Sequence, residues 1–298
     1  MEKLFGQKLI RRCWPGPVIL LFPVVQEAGL LDSLPPEVRQ PLIVNGELPC
    51  RVIGEEVLQA VQRLLPAPLV VSSDFPPPGT PARTAADFAK SLNSDIDLIV
   101  DHGQCRYLST STVVRINDLR WDILHEGVVN ERTVRRLLGD VFLFVCTGNT
   151  CRSPMAEALF RKLVAEKLGC SEEELTEKGY VAASAGLSAY PGAGPSPEAV
   201  DVLKLQGIDL SAHESQPLTP RLLSQADYVF TMTKSHRDTI LWEYPELSHQ
   251  VSLLSREDQD VADPIGGSFE DYALCADEIA NCIRTILDDM DGSSRISE

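Results

Sequence analysis

Cys146 and Arg152 close the two ends of one short stretch, Cys146-Thr-Gly-Asn-Thr-Cys-Arg152. An arginine offers a planar fork that grips two phosphate oxygens. A cysteine in the same positive environment is favoured as its thiolate, a nucleophile aimed at phosphorus. Gly148 and Asn149 tolerate left-handed backbone, which lets successive N–H groups turn inward as an anion nest. A third group lies far along the chain. Asp263 heads Asp263-Pro264-Ile-Gly-Gly267, where proline holds it extended and two glycines free the loop to close. A carboxyl group there can protonate a leaving group and then take a proton from the hydrolytic water. The expected chemistry is metal-free and cofactor-free phosphoryl transfer to sulfur, then to water.

Spacing alone is weak evidence among eight cysteines, so the flanking elements must carry it. Val141–Val145 is an unbroken apolar run, the mark of a short buried strand of a parallel sheet. Ser153 before Pro154 reads as an N-cap with proline at the first helical position. Met155, Leu159 and Leu163, flanked by Phe160, Val164 and Leu168, then predict an amphipathic helix. Its N-terminus adds free N–H groups and partial positive charge to the loop.

The same alternation continues downstream. Ser171–Glu174 fits a capping box, Tyr180–Ala183 a second strand, and residues 184–192 the loop after it. Ser196 and Thr219-Pro220 open helices, the first closed by Gly207. Asp227–Met232 and Val251–Leu254 complete four strands, with helices over 235–243 and Ser268–Met290. This is the pattern of a doubly wound parallel sheet, in which catalytic groups gather at strand ends. Cys275 and Cys282 share a helical face and are expected in the core; no second close cysteine pair supports zinc.

The stretch Cys146-Thr-Gly-Asn-Thr-Cys-Arg-Ser-Pro-Met-Ala-Glu157 resembles the signature of the low-molecular-weight protein-tyrosine-phosphatase family. The resemblance spans about residues 140–290. It implies a flavodoxin-like fold, a cysteinyl-phosphate intermediate and Asp263 as general acid. It also implies that Thr147, Gly148, Asn149, Thr150, Cys151 and Ser153 form the phosphate cradle. Asn149 would fix the loop, Ser153 would donate to the sulfur, and Ser184 and His213 would brace Asn149. Cys151 would form a reversible disulfide with Cys146 under oxidation. A related arsenate reductase would need further redox cysteines near residues 210–230, and none is there. A mere phosphate-binding scaffold would have no need of a nucleophile and an acid.

The formal net charge of −16 is uneven. Residues 1–139 hold 15 Lys+Arg against 16 Asp+Glu, and residues 140–298 hold 12 against 27. The shift supports two domains, 1–139 and 140–290, with 291–298 as a frayed polar tail. An acidic second half repels nucleic acid, so phosphate must be captured locally. No apolar run reaches the length of a membrane span. Val18–Val25, behind four basic residues, reads as a strand rather than a leader, and the cysteines fit a reducing cytoplasm.

In the first half Val18–Leu21, Leu42–Val44, Leu69–Val71, Ile96–Val100 and Val113–Ile116 are strand candidates. Gly54–Leu65, Thr84–Ser91 and Glu131–Leu138 read as helices. His102 beside Asp101 and His125 beside Glu126 could pair as base and carboxylate, although isolated histidines are usually structural. Trp14–Phe22, Asp97–Gly103, Ser111–Val114 and Ile123–Val128 resemble the later part of a YrdC-like domain, the threonylcarbamoyl-adenylate synthase fold. The resemblance implies a mixed α/β domain without its opening third, and an alternative role in binding nucleotide or RNA for tRNA modification. Val71-Ser-Ser-Asp74 puts a carboxylate where that family has an amide, which argues against synthesis. Exposed sheet edges would then call for a start further upstream, or for docking on a partner, on a second copy or on the second half.

For the second half a phosphorylated protein or peptide is the expected substrate. Thr150, Ile265-Gly-Gly267 and Met232-Thr-Lys-Ser-His236 resemble the bacterial protein-arginine-phosphatase branch. Tyr190 instead stands where tyrosine-directed members keep a wall aromatic. The balance leans to phosphoarginine.

Overall fold

The computed structural model describes residues 5–24, 31, 34–66, 68–71, 84–89, 96–107, 109–117 and 120–294. The chain divides into two compact units, Met1–Leu137 and Leu138–Glu298.

The first unit is built on a mixed four-stranded sheet. Its strands are β1 (Val18–Pro23), β2 (Glu47–Cys50), β3 (Thr112–Asn117) and β4 (Arg120–His125), in the order β2-β1-β3-β4. The central β1–β3 pair is parallel and the outer pairs are antiparallel. Helices α1 (Phe5–Cys13), α2 (Pro36–Leu42), α3 (Glu56–Leu64), α4 (Ala85–Ala89) and α5 (Glu131–Leu138) accompany it.

Several expectations for this unit are corrected. Leu42 ends a helix, and Val44 belongs to a hairpin closed by Asn45 and Gly46 at φ 53° and 80°. Two adjacent positive φ angles are the twist that a two-residue hairpin needs. Leu69–Val71 and Ile96–Val100 form no strand, and Val70, Val71, Leu98 and Val100 are at least 60% exposed. Apolar residues make a strand only where a neighbouring strand accepts their backbone groups. His102 bonds Glu55 at 2.7 Å and His125 bonds Thr110 at 2.6 Å, so neither uses its sequence neighbour. The helix expected over Thr84–Ser91 is seen at Ala85–Ala89, and Lys90 and Ser91 lie outside the described residues. So do Ser72, Ser73 and Asp74, and with them the carboxylate substitution.

The second unit carries an all-parallel sheet of β5 (Asp140–Cys146), β6 (Tyr180–Gly186), β7 (Tyr228–Thr231) and β8 (Val251–Leu253), in the order β6-β5-β7-β8. Its helices are α6 (Arg152–Leu168), α7 (Pro197–Leu205), α8 (Pro220–Gln225), α9 (Lys234–Glu243) and α10 (Phe269–Ser294). Alternation along β5 serves two cores. Phe142, Phe144 and Cys146 face the cluster with α6, α7 and α10, while Leu143 and Val145 face the cluster with α8 and α9. Phe160 of α6 packs on Phe142 and Phe144 at ring distances of 4.5 and 5.6 Å. Each such buried ring contributes about 2–3 kcal/mol. The chain leaves β5 towards β6 on one side and β7 on the other. That reversal opens a crevice at the carboxyl end of β5, where open α/β sheets bind ligands.

Beyond one-residue differences at β7, β8 and α9, three boundaries shift. Residues Ser184, Ala185 and Gly186 finish β6 instead of starting the loop. Helix α10 continues to Ser294, so the polar tail is helical at its start. Helix α6 begins at Arg152 with Cys151 as N-cap, and Ser153 caps nothing. The Ser153 hydroxyl is occupied elsewhere.

Candidate active site

Strand β5 ends at Cys146, 3% exposed, and its parity in the pleat turns the sulfur towards α6. There it meets two donors. The Asn149 N–H points to Sγ at 3.2 Å, and the Ser153 Oγ lies 3.0 Å away. Ser153 Oγ already accepts from Asn149 Nδ2 at 2.9 Å. Its own hydrogen is therefore left for the sulfur or for the Ala185 carbonyl at 3.3 Å. The Asn149 N–H and the Ser153 hydroxyl thus both address the sulfur.

Asn149 holds the loop in shape. It is fully buried at φ 56°, a left-handed conformation that asparagine tolerates. Its Nδ2 also donates to Ser184 Oγ at 2.9 Å, and its Oδ1 accepts from the Gln216 N–H at 2.9 Å. Its carbonyl is 2.8 Å from His213 Nε2, which must donate because a carbonyl only accepts. Ser184 in turn donates to Glu157 at 2.7 Å, and burial pushes the Glu157 carboxyl up. Ser153, Ser184 and His213 thus meet on Asn149. Glu157 and Gln216 extend the network and were missed from sequence. Glu157 stands four residues after Ser153 on α6, a spacing that could have placed it on the same face.

The loop also touches the end of β6 closely. A Cβ on Gly186 would fall 2.6 Å from the Thr147 carbonyl and 2.9 Å from the Asn149 nitrogen. Gly186→Ala is expected to displace the loop, costing about 1–3 kcal/mol as in an overpacked core, with weaker phosphate inhibition. Thermal unfolding and a phosphate inhibition constant check it; wild-type values for both would show the loop yields freely.

Arg152, at the first helical position of α6, is 4% exposed. Its two terminal nitrogens reach the Val261 carbonyl at 3.2 Å and Asp263 Oδ2 at 2.5 Å. The Asp263 side chain stays 42% exposed, and its Oδ1 accepts the Ile265 N–H at 3.3 Å. The Cys146 loop, the arginine and the carboxylate therefore converge from β5, α6 and the segment after β8. No side chain caps the N-terminus of α6, a 17-residue helix, so its first N–H groups remain for an anion.

Other residues are placed around this centre. Thr150 is half-buried, with Oγ1 3.6 Å from Cys151 Sγ and its carbonyl bonded by the Ser196 N–H at 2.9 Å. Cys151 is buried against the Tyr272 hydroxyl at 3.4 Å. Burial, then that contact, pushes Tyr272 up to about 12. Cys275 is core, as expected, and burial raises its thiol to about 12. Cys282 packs at the edge of the same cluster. Tyr190 and Ile265 are 81% and 69% exposed, so neither builds a closed wall. Thr147 is exposed, with Oγ1 2.9 Å from His236 Nε2. Burial, then the Arg152 charge, lowers the His236 imidazole against the pull of Asp263 and Asp260. Gly148 lies partly exposed in the turn.

The family model described as "Low molecular weight phosphotyrosine protein phosphatase" matches residues 141–295. The chain belongs to that family. The phosphatase unit is 39% identical over 148 residues to the "Protein-arginine-phosphatase" of Bacillus subtilis, covering 48% of this chain and 92% of that one. It is 37% identical over 123 residues to the "Probable low molecular weight protein-tyrosine-phosphatase EpsP" of Ralstonia nicotianae, covering 41% and 76%. Among solved structures, a YwlE mutant from Bacillus subtilis is 36% identical, covering 51% of this chain and 99% of that one, with TM-score 0.46. Ahead of the phosphatase unit, residues 4–127 match the Sua5/YciO/YrdC model, described as "Telomere recombination". Among the described residues, no helix is long and apolar enough to cross a membrane.

Proposed function

We propose that the second unit is a protein-arginine phosphatase that works through a cysteinyl-phosphate. The Cys146 thiolate attacks phosphorus, the P–N bond breaks, and Asp263 gives its proton to the departing guanidine. Water then attacks the cysteinyl-phosphate, Asp263 takes the proton, and inorganic phosphate leaves a thiolate behind. Arg152 and the N–H groups at the start of α6 hold the equatorial oxygens, where charge develops in transfer. Before substrate arrives, Arg152 is neutralised by Asp263, the group that must later face the leaving atom. Phosphate is expected to replace the carboxylate on the arginine and so set Asp263 free.

The observation that carries the substrate class is Thr150, a small polar side chain half-buried in the phosphate loop. A guanidinium needs polar neighbours, whereas a phenyl ring needs apolar ones, and the fit of the leaving group decides kcat/KM. The exposed Ile265 and the Ile265-Gly-Gly267 directly after Asp263-Pro264 agree with this, and two relatives named protein-arginine-phosphatase support it. Tyr190 favours the second reading, phosphotyrosine, as do the tyrosine-directed relatives. The test is kcat/KM on matched phosphoarginine and phosphotyrosine peptides. Wild type is expected to prefer phosphoarginine, and Thr150→Ile to shift the ratio towards phosphotyrosine by about tenfold or more. Wild-type preference for phosphotyrosine with a ratio unmoved by Thr150→Ile would refute the arginine assignment. For the first unit we propose binding or assembly in place of adenylate synthesis. Threonine- and bicarbonate-dependent release of pyrophosphate from ATP would overturn that.

A further inference from the structure

His236 sits in the first turn of α9, 7% exposed, with Nε2 2.9 Å from Thr147 Oγ1 and Nδ1 buried without a partner. Thr147 is the loop residue next to the nucleophile. We infer that His236 is a neutral imidazole protonated on Nε2, which donates to Thr147 Oγ1 and so turns the threonine hydroxyl hydrogen onto the captured phosphoryl group. His236 is then a positioning residue that acts through Thr147. The inference rests on the phosphatase reading of the same loop and adds a donor to it.

The alternative tautomers fail on hydrogen bonding and charge. If the Thr147 hydroxyl donated to Nε2, the proton would sit on Nδ1, as a buried N–H with no acceptor. Orphaned buried donors are rarer and costlier than spare lone pairs. The first turn of a helix is also the positive end of its dipole, which favours a lone pair over an N–H. An imidazolium would add a buried charge near Arg152, and burial together with that arginine already holds the ring towards neutrality. The other charged groups facing the ring are Asp263 and Asp260, from the segment after β8, which favour the charged form. Asp263 is paired with Arg152, and Asp260 accepts the Lys234 N–H at 2.7 Å. On α9 itself, Lys234 pairs with Asp258 at 2.8 Å, and Arg237 with Asp238 at 2.9 Å and Asp258 at 3.6 Å.

With Oγ1 accepting from His236, the one Thr147 hydrogen has no other acceptor among the described residues. The main chain beneath it is fixed, since the Thr147 carbonyl accepts the Ser188 N–H at 2.8 Å. A fixed, exposed hydroxyl beside the thiolate is a donor waiting for an anion.

The test is a double-mutant cycle on the full chain with His236→Leu, Thr147→Val and the pair. The readouts are the inhibition constant of inorganic phosphate and kcat/KM on p-nitrophenyl phosphate. Each single change is expected to weaken phosphate about tenfold, as for one charge-assisted hydrogen bond, and the pair no further. His236→Gln, which keeps an N–H near the Nε2 position, is expected within about threefold of wild type. Ring ¹⁵N shifts of His236 in the wild type should show Nδ1 bare. Effects that multiply in the double variant, or a proton on Nδ1, would overturn the inference. The wild-type shifts and Thr147→Val decide it even if His236→Leu fails to fold. Cys146 dependence of turnover separates the two levels. With that dependence intact, a failed cycle removes only the role of His236; without it, the phosphatase reading itself falls.

Discussion

Cys146→Ser is expected to abolish turnover, by at least about 10⁴-fold, while inorganic phosphate still binds with near-wild-type affinity. The sulfur is the only atom that the substitution replaces. The Asn149 N–H and Ser153 hydroxyl that address Sγ remain, as do Arg152 and the uncapped start of α6. A serine hydroxyl stays protonated near neutral pH, and no base stands beside it to activate it, since its neighbours are donors. Single-turnover assays for chemistry and calorimetric titration with phosphate for binding separate the two effects. A serine variant with wild-type turnover would remove Cys146 from the mechanism.

Asp263→Asn has the next largest expected effect, and two signs. Turnover should fall by about 10²–10⁴, because an amide cannot protonate the leaving nitrogen or accept a proton from water. The loss should shrink on substrates whose leaving group needs no proton. Phosphate affinity should move the other way, tightening by about two- to fivefold. The carboxylate competes with phosphate for Arg152 and repels it, and one partly exposed ion pair is worth about that much. Steady-state rates on substrates graded by leaving-group pKa, with phosphate inhibition constants on the same proteins, check both. A variant equally impaired on all leaving groups would mean that Asp263 orients Arg152 and does not act as the acid.

The candidate site was legible because its central loop is local. Cys146 to Ser153 is one strand end, one turn and one helix start, and each has its own sequence mark: an apolar run, a glycine with an asparagine, and the head of an amphipathic helix. The parallel architecture followed from the alternation of those marks over 140–290. In the first unit the same method found β1, β3, α3 and α5, and misjudged segments whose fate depends on partners. Leu69–Val71 and Ile96–Val100 have strand composition yet, among the described residues, no strand beside them. The Asn45-Gly46 hairpin, by contrast, carries a readable dipeptide signal.

Ser153 marks the limit most clearly. By sequence, a serine before a proline is a helix cap. In the fold, β5 delivers Cys146 and Asn149 to its hydroxyl, and the helix starts one residue earlier, at Arg152. Gln216 and His236 tell the same story, for each is an ordinary polar residue until a crossover brings it to the loop. By itself the sequence marked Cys146, Arg152 and Asp263 as candidates for nucleophile, phosphate grip and acid, and indicated the sheet type, because residue type and short-range spacing encode them. The tertiary structure alone decided that Arg152 pairs with Asp263, that Asn149 is bonded to five residues, and that Thr147 meets His236. Those contacts join segments up to 111 positions apart, and only the strand order β6-β5-β7-β8 brings such segments to one crevice.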